Sequence, residues 1–179
     1  MPNLLEIKTF FRKDSPYPPV PKTDAADLLN PKIEGCAAFP LRANADDRGH
    51  LIELLSTRNG DAKPAVHVYQ VFAHAGSLRA WIYHAKQTDH LVFADGSFQI
   101  ALFDLRNDSP TAGNLVTLFA GSACPVRLTI APFVAHAVKN IGSVQSSYVN
   151  LPDRVYDLQD PDKYRIPHDS PLIDYRLWC

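Results

Sequence analysis

From Cys36 onward the chain alternates short apolar runs with turn residues, and this rhythm predicts β-structure rather than helix. The runs rich in Val, Ile, Leu, Phe and Tyr fall at 36–42, 50–55, 66–72, 78–84, 89–94, 97–105, 115–119, 126–130, 135–139 and 146–151. Asp95-Gly96 separates two of them and reads as a hairpin turn, because glycine tolerates positive φ. About ten short strands at such close spacing imply an all-β sandwich or small barrel. The first 32 residues break the pattern: Ser15-Pro16-Tyr17-Pro18-Pro19-Val20-Pro21 holds four prolines in seven positions and is extended or irregular. Thr23–Leu29 has the makings of a short helix, with Thr23 as cap and Pro31 beyond its end. Residues 1–32 therefore form an arm, either packed on the barrel or a partner subunit, or partly disordered. Residues 33–179 form the single domain, ending from Asp157 in an irregular tail rich in Pro, Asp and aromatics.

Composition narrows the function classes. At 179 residues, 46% hydrophobic and 21% charged, the chain is long enough for one domain with a substantial core. A net charge of −1 gives no general attraction to nucleic acid or anionic membrane, so anion binding must come from individually placed arginines. The N-terminus mixes Glu6, Lys8, Arg12 and Lys13 with short apolar runs, unlike a signal peptide, and no stretch approaches a membrane span. Three cysteines, Cys36, Cys124 and Cys179, match no zinc spacing and read as reduced thiols of a cytoplasmic protein. Cys36 and Cys124 lie in apolar runs and are expected to serve packing.

Four segments carry the candidate chemistry. They are Asp46-Asp47-Arg48-Gly49-His50-Leu51-Ile52-Glu53, Leu78-Arg79-Ala80-Trp81-Ile82-Tyr83-His84, Asp104-Leu105-Arg106-Asn107-Asp108-Ser109-Pro110-Thr111-Ala112-Gly113 and Ile130-Ala131-Pro132-Phe133-Val134-Ala135-His136. In this order and at these intervals they resemble the dTDP-4-dehydrorhamnose 3,5-epimerase family, whose motifs read D-x-R-G-x-F-x-E, L-R-G-L-H-Y-Q, D-x-R-x-x-S-P-T-x-G and I-P-x-G-F-A-H. His168-Asp169-Ser170-Pro171 falls where the family has W-N/D-D-P. The resemblance implies a cupin-type jelly-roll β-barrel, a homodimer that exchanges N-terminal strands, and a pocket for a nucleotide-linked 4-keto sugar. It implies neither cofactor nor metal.

The family reaction removes a proton beside the C4 carbonyl with a His held by an Asp and returns one from a Tyr on the other face. Here Ile82 stands at the His position and Ser170 at the Asp position, with Asp169 one residue away. An alkyl chain accepts no proton, so ordinary 3,5-epimerisation is not expected. The Tyr slot falls 13 residues after the motif His in the family; Tyr148 lies 12 after His136 and is the candidate acid. The alternative for Tyr148 is an aromatic core residue with a hydrogen-bonded hydroxyl. His90 aligns with the family's enolate-stabilising Lys, and a solvated strand-end His is an equal reading. Arg48 and Arg79 match arginines that hold the diphosphate, and Glu53 matches a residue near the base; Arg48 and Glu53 are expected to serve the neighbouring subunit. Guanidinium suits phosphate because it donates paired hydrogen bonds, whereas an Arg–Asp pair with Asp46, Asp47 or Asp104 is the structural alternative. Arg106 reads as structural. The segment between Gln70 and Leu78 is shorter than the family's Q-x-N-x-S loop. Pro132, His136 and Asn140 also fit the general cupin second motif, and His84 survives from the first. That opens a competing reading, a metal-dependent isomerase or dioxygenase using His84 and His136 with Asp89 or His90. Catalytic candidates are thus Tyr148, His136 and His84, with Arg48, Glu53, Arg79 and His90 for substrate.

Overall fold

The computed structural model describes Pro16 and residues 27–58, 65–167 and 170–173. Among these residues every regular element is a strand. In chain order they are β1 (Ala37–Pro40), β2 (Ala43–Asp46), β3 (Gly49–Ile52), β4 (Tyr69–Ala73), β5 (Leu78–Tyr83), β6 (Asp89–Phe93), β7 (Ser97–Asp104), β8 (Leu115–Gly121), β9 (Val126–Ile130), β10 (Val134–Asn140), β11 (Ser146–Asn150) and β12 (Tyr164–Arg165). All ten expected runs contain a strand, and β2 and β12 are additional. Antiparallel pairing builds two five-stranded sheets, β1-β9-β6-β11-β4 and β12-β5-β10-β7-β8, with β2-β3 as a separate hairpin. Two facing sheets with this crossed order make a jelly roll.

Side-chain alternation divides the second sheet into two faces. Inward, Phe98, Ile100 and Leu102 of β7 meet Phe93 of β6 and Leu128 of β9 in the main core. Outward, Trp81, Ala101, Ala135 and Ala137 would meet water, but Ile166 and Ile173 of the C-terminal tail cover them. This explains why β10 is buried along nearly its whole length. Two turns require glycine. Gly96 has φ 63°, and a Cβ there would lie 2.1 Å from Ser146 Oγ; at Gly121 it would lie 2.1 Å from the Gly96 carbonyl oxygen. The Asp95-Gly96 turn expected from sequence thus joins β6 to β7 under steric constraint.

Other expectations fare differently. Most of Thr23–Leu29 lies outside the described residues, and Asp27–Leu29 is not helical. Leu29 is buried in the core and the Leu28 N–H donates to the Ala38 carbonyl at 2.8 Å. Cys36 is buried, its thiol pushed up to about 11 by burial. Cys124 is exposed in the turn after β8, because Gly121 and Cys124 bridge across it, so it does not serve packing. Cys179 lies outside the described residues. In the Asp104 motif the carboxylate accepts from Arg106 Nε at 2.8 Å, Ser109 Oγ at 2.7 Å and Thr111 Oγ1 at 2.7 Å. Arg106 also reaches the Glu34 carbonyl at 2.6 Å, so it ties the β7–β8 connection to the entry of the barrel.

Candidate functional site

The main core fills one end of the barrel; at the other the sheets stand apart around a cavity of about 360 Å³. The β5 wall offers Arg79, Ala80, Ile82 and His84, the β10 wall His136 and Val138, and the facing sheet Asp89, Leu91, Tyr148 and Asn150. Period-two alternation explains the selection: Ile82 and His84 face inward while Trp81 and Tyr83 face out. A larger hollow of about 480 Å³ lies outside, between the β5–β6 turn and residues 153–162. It holds none of the motif residues.

Asp89 organises the cavity floor. It is 2% exposed, and its Oδ2 lies 3.3 Å from His84 Nε2 and 3.5 Å from His136 Nε2. Its Oδ1 accepts from Gln87 Nε2 at 2.7 Å and Asn150 Nδ2 at 2.8 Å. Burial alone would raise its pKa; bonds and charge from His84, His136 and Asn150 bring it down to about 2. Burial lowers His84, but Asp89 and the Asp162 carbonyl outweigh it and its pKa rises. The Asp162 carbonyl accepts from His84 Nδ1, while the Asp162 carboxylate accepts from the N–H groups of Ala85, Lys86 and Gln87 at 2.8–2.9 Å. Below its raised pKa His84 is an imidazolium that donates from both nitrogens to fixed oxygens. His136 is pushed down by burial and stays neutral; its nitrogens face the Val134 carbonyl at 3.4 Å and Asp89.

Two tyrosines complete the floor. The Tyr69 hydroxyl accepts from Asn150 Nδ2 at 2.8 Å, and its pKa is raised, first by burial and then by Asp89. Tyr148 packs its ring 5.0 Å from Phe93 and 5.7 Å from Phe98, and burial pushes its hydroxyl up to about 12. Asn150 Oδ1 is buried without a hydrogen-bond partner among the described residues. At the mouth stand three basic side chains, Arg79 from β5 and Lys163 and Arg165 from the tail.

The structure brings Tyr148, His136, His84 and Arg79 together and leaves Arg48, Glu53 and His90 apart. Arg48 sits on the exposed β2-β3 hairpin and pairs with Asp46, its Nε 3.2 Å from Oδ2. Glu53 pairs with Arg58 at 2.8 Å. His90 points to the other face of its strand and bonds Thr129 Oγ1 at 3.1 Å; burial and Arg127 lower its pKa. Ser170 lies outside the cavity wall, and Asp169 lies outside the described residues. Phe133, at the family's glycine position, adopts φ 58°. Its ring stacks 6.0 Å from Tyr83, which stacks 4.9 Å from Tyr164 and so clamps β12 to β5. Lys163, Arg165, Asn150 and Tyr69 escaped sequence reasoning, since none belongs to a quoted motif.

The donor atoms of His84, Asp89 and His136 lie within 4.8 Å of one another, the one place among the described residues where three metal-type side chains meet. Asp89, rather than His90, is the carboxylate or imidazole that joins the two histidines. Yet Asp89 already accepts from two amides and pairs with His84, so the protein's own hydrogen bonds account for the cluster.

A two-sheet jelly roll with a half-open polar cavity lined from its first and second histidine motifs is a cupin barrel. No protein-family model matches the chain. It is 35% identical over 142 residues to the "Probable low-salt glycan biosynthesis epimerase Agl13" of Haloferax volcanii, covering 78% of this chain and 90% of that protein. It is 32% identical over 146 residues to the spore coat polysaccharide biosynthesis protein SpsL of Bacillus subtilis, covering 80% and 95%. Among solved structures, a dTDP sugar isomerase from Desulfovibrio desulfuricans superposes with TM-score 0.75 at 24% identity, over 83% of this chain and 93% of that one. The Mycobacterium tuberculosis rmlC epimerase superposes with TM-score 0.71 at 19% identity, over 84% and 76%. The chain belongs to the dTDP-4-dehydrorhamnose 3,5-epimerase family of cupins, as a divergent member with Ile82 in place of the catalytic His. These likenesses do not favour the metal-dependent alternative.

Proposed function

We propose that the cavity binds a nucleotide-linked or otherwise phosphorylated keto sugar and does not perform the family's two-centre 3,5-epimerisation. The observation that carries this reading is the wall itself: the guanidinium groups of Arg79 and Arg165 at the mouth, a polar floor, and an alkyl group at residue 82. Guanidinium groups at the rim suit a diphosphate, and the orphan Asn150 Oδ1 suits a sugar hydroxyl. Ile82 cannot take a proton, and His84 is held by the Asp162 carbonyl and the Asp89 carboxylate. Some solved neighbours were captured with dTDP-linked ligands, among them a 3'-monoepimerase from Streptomyces bikiniensis with dTDP-quinovose. Calorimetry with dTDP and UDP tests the reading; no heat of binding from either at millimolar concentration refutes it. Deuterium uptake at both C3 and C5 of a dTDP-4-keto-6-deoxy sugar in D2O would refute the loss of two-centre chemistry.

The same reading takes the protein to be a cytoplasmic homodimer. The β2-β3 hairpin pairs only with itself, and seven of its eight residues are exposed. β4, an edge strand, leaves Tyr69 and Phe72 exposed at 41% and 57%. An unpaired edge beside a free hairpin suits exchange between two copies, which would carry Arg48 and Glu53 to the partner's cavity.

A further inference from the structure

Deprotonation beside a carbonyl needs a lone pair aimed at the ligand, and Ile82 stands where the family's base would be. The cavity's other titratable groups are committed. His84 and His136 face protein oxygens with both nitrogens. Asp89 is saturated by two amides and two imidazoles. Tyr69 is tied to Asn150, and Tyr148 holds its proton up to about 12. Arg79 and Arg165 do not deprotonate.

Lys163 is the exception. β12 pairs with β5 so that Arg165 opposes Ile82 and Tyr164 opposes Tyr83; the next step of that register sets Lys163 beside His84. Tyr164 turns away onto Tyr83, so Lys163 and Arg165 lie on the cavity side, where both are exposed at its rim. The backbone on either side is anchored, by Asp162 on the β5–β6 turn and by the Ile166 N–H on the Trp81 carbonyl at 3.0 Å. Among the described residues the amine has no hydrogen bond or ion pair. Around it stand Arg165, Arg79 and His84, then Asp89, His136, Tyr148 and Tyr69. Desolvation lowers its pKa first, Arg165 and Arg79 lower it further, and Asp89 opposes them.

We infer that Lys163 is the proton acceptor of this cavity, supplied by the C-terminal strand in place of the base missing at Ile82. This rests on the cavity binding a keto-sugar nucleotide. The neutral amine takes the proton from one carbon beside the carbonyl. The C–H electron pair becomes the C=C bond of an enolate, and the carbonyl π pair moves to its oxygen. Tyr148 stands on the opposite sheet, across the cavity from β12. Its hydroxyl returns a proton to that carbon from the other face, inverting it. The phenolate regains its proton from solvent, and the ammonium loses one to solvent. One base on one wall serves one carbon, in keeping with the loss of two-centre chemistry.

The test follows dTDP-4-keto-6-deoxyglucose and its UDP counterpart in D2O by NMR. The expected result is deuterium uptake at a single carbon, faster as pH rises because the amine is then more often neutral. Lys163→Gln should slow exchange by about 100-fold or more while dTDP or UDP binding changes only several-fold. Lys163→Arg keeps the charge but cannot accept a proton, and should be equally slow. Methylamine should restore part of the exchange to Lys163→Ala. Exchange at the parental rate in Lys163→Gln or Lys163→Arg overturns the inference. So does a parent protein that binds dTDP or UDP and exchanges no carbon-bound hydrogen. A parent that binds neither nucleotide overturns the keto-sugar reading itself.

Discussion

Replacing Asp89 by Asn removes one charge and keeps the shape of the cavity floor. The depression of the Asp89 carboxyl from 3.8 to about 2 corresponds to about 2 kcal/mol of stability at neutral pH. Breaking a buried pair from one side typically costs about 3–5 kcal/mol, but Asn can still accept from Gln87 and Asn150. The expected loss is therefore about 2–4 kcal/mol, and at about 2–4 °C per kcal/mol for a chain of this size the melting temperature should fall by about 5–15 °C. The pH dependence has a definite sign. Asp89 has a depressed folded pKa, so its contribution is complete above about pH 4 and is lost as pH falls toward 2. His84 has a raised folded pKa, so its contribution is complete below 6.5 and fades as pH rises through the folded value. Thermal melts of the parent, Asp89→Asn, His84→Gln and the double variant give the coupling between the two residues. Coupling above about 1 kcal/mol at pH 5–6 that shrinks by pH 9 is expected. A coupling independent of pH, or an Asp89→Asn variant melting within 2 °C of the parent at pH 6, would refute the imidazolium–carboxylate assignment.

Gly96→Ala should lower stability by more than the roughly 1–2 kcal/mol that a left-handed backbone costs an L-residue, because its Cβ meets Ser146 Oγ at 2.1 Å at φ 63°; a denaturant midpoint unchanged from the parent would contradict the turn geometry. Sedimentation at micromolar concentration should give a dimer, and Phe72→Lys on the β4 edge should shift it toward monomer; a parent sedimenting as a stable monomer removes the homodimer.

The barrel was legible because its strands are apolar and separated by turn residues: 97–105 and 126–130 coincide with β7 and β9 to within a residue. β2 was not, since Ala43-Asn44-Ala45-Asp46 has no strand composition and owes its form to pairing with β3. Half the site was readable from sequence, because His136, Tyr148 and Arg79 sit on strands, and His84 directly follows one, so that alternation fixes which way they point. Lys163 and Arg165 were not. Lys163-Tyr164-Arg165 lies in a Pro- and Asp-rich tail, too short for any periodicity to register. What makes it a strand is remote in sequence: the exposed edge of β5 and the stack of Tyr164 on Tyr83.

The bond from His84 Nδ1 to the Asp162 carbonyl joins residues 78 positions apart. The pairings among β4, β5, β6, β7, β10 and β11 need nothing beyond Asn150. They can therefore form without the acceptor that sets the protonation of His84. A chain halted after β11 would carry these strands without the wall that holds Lys163.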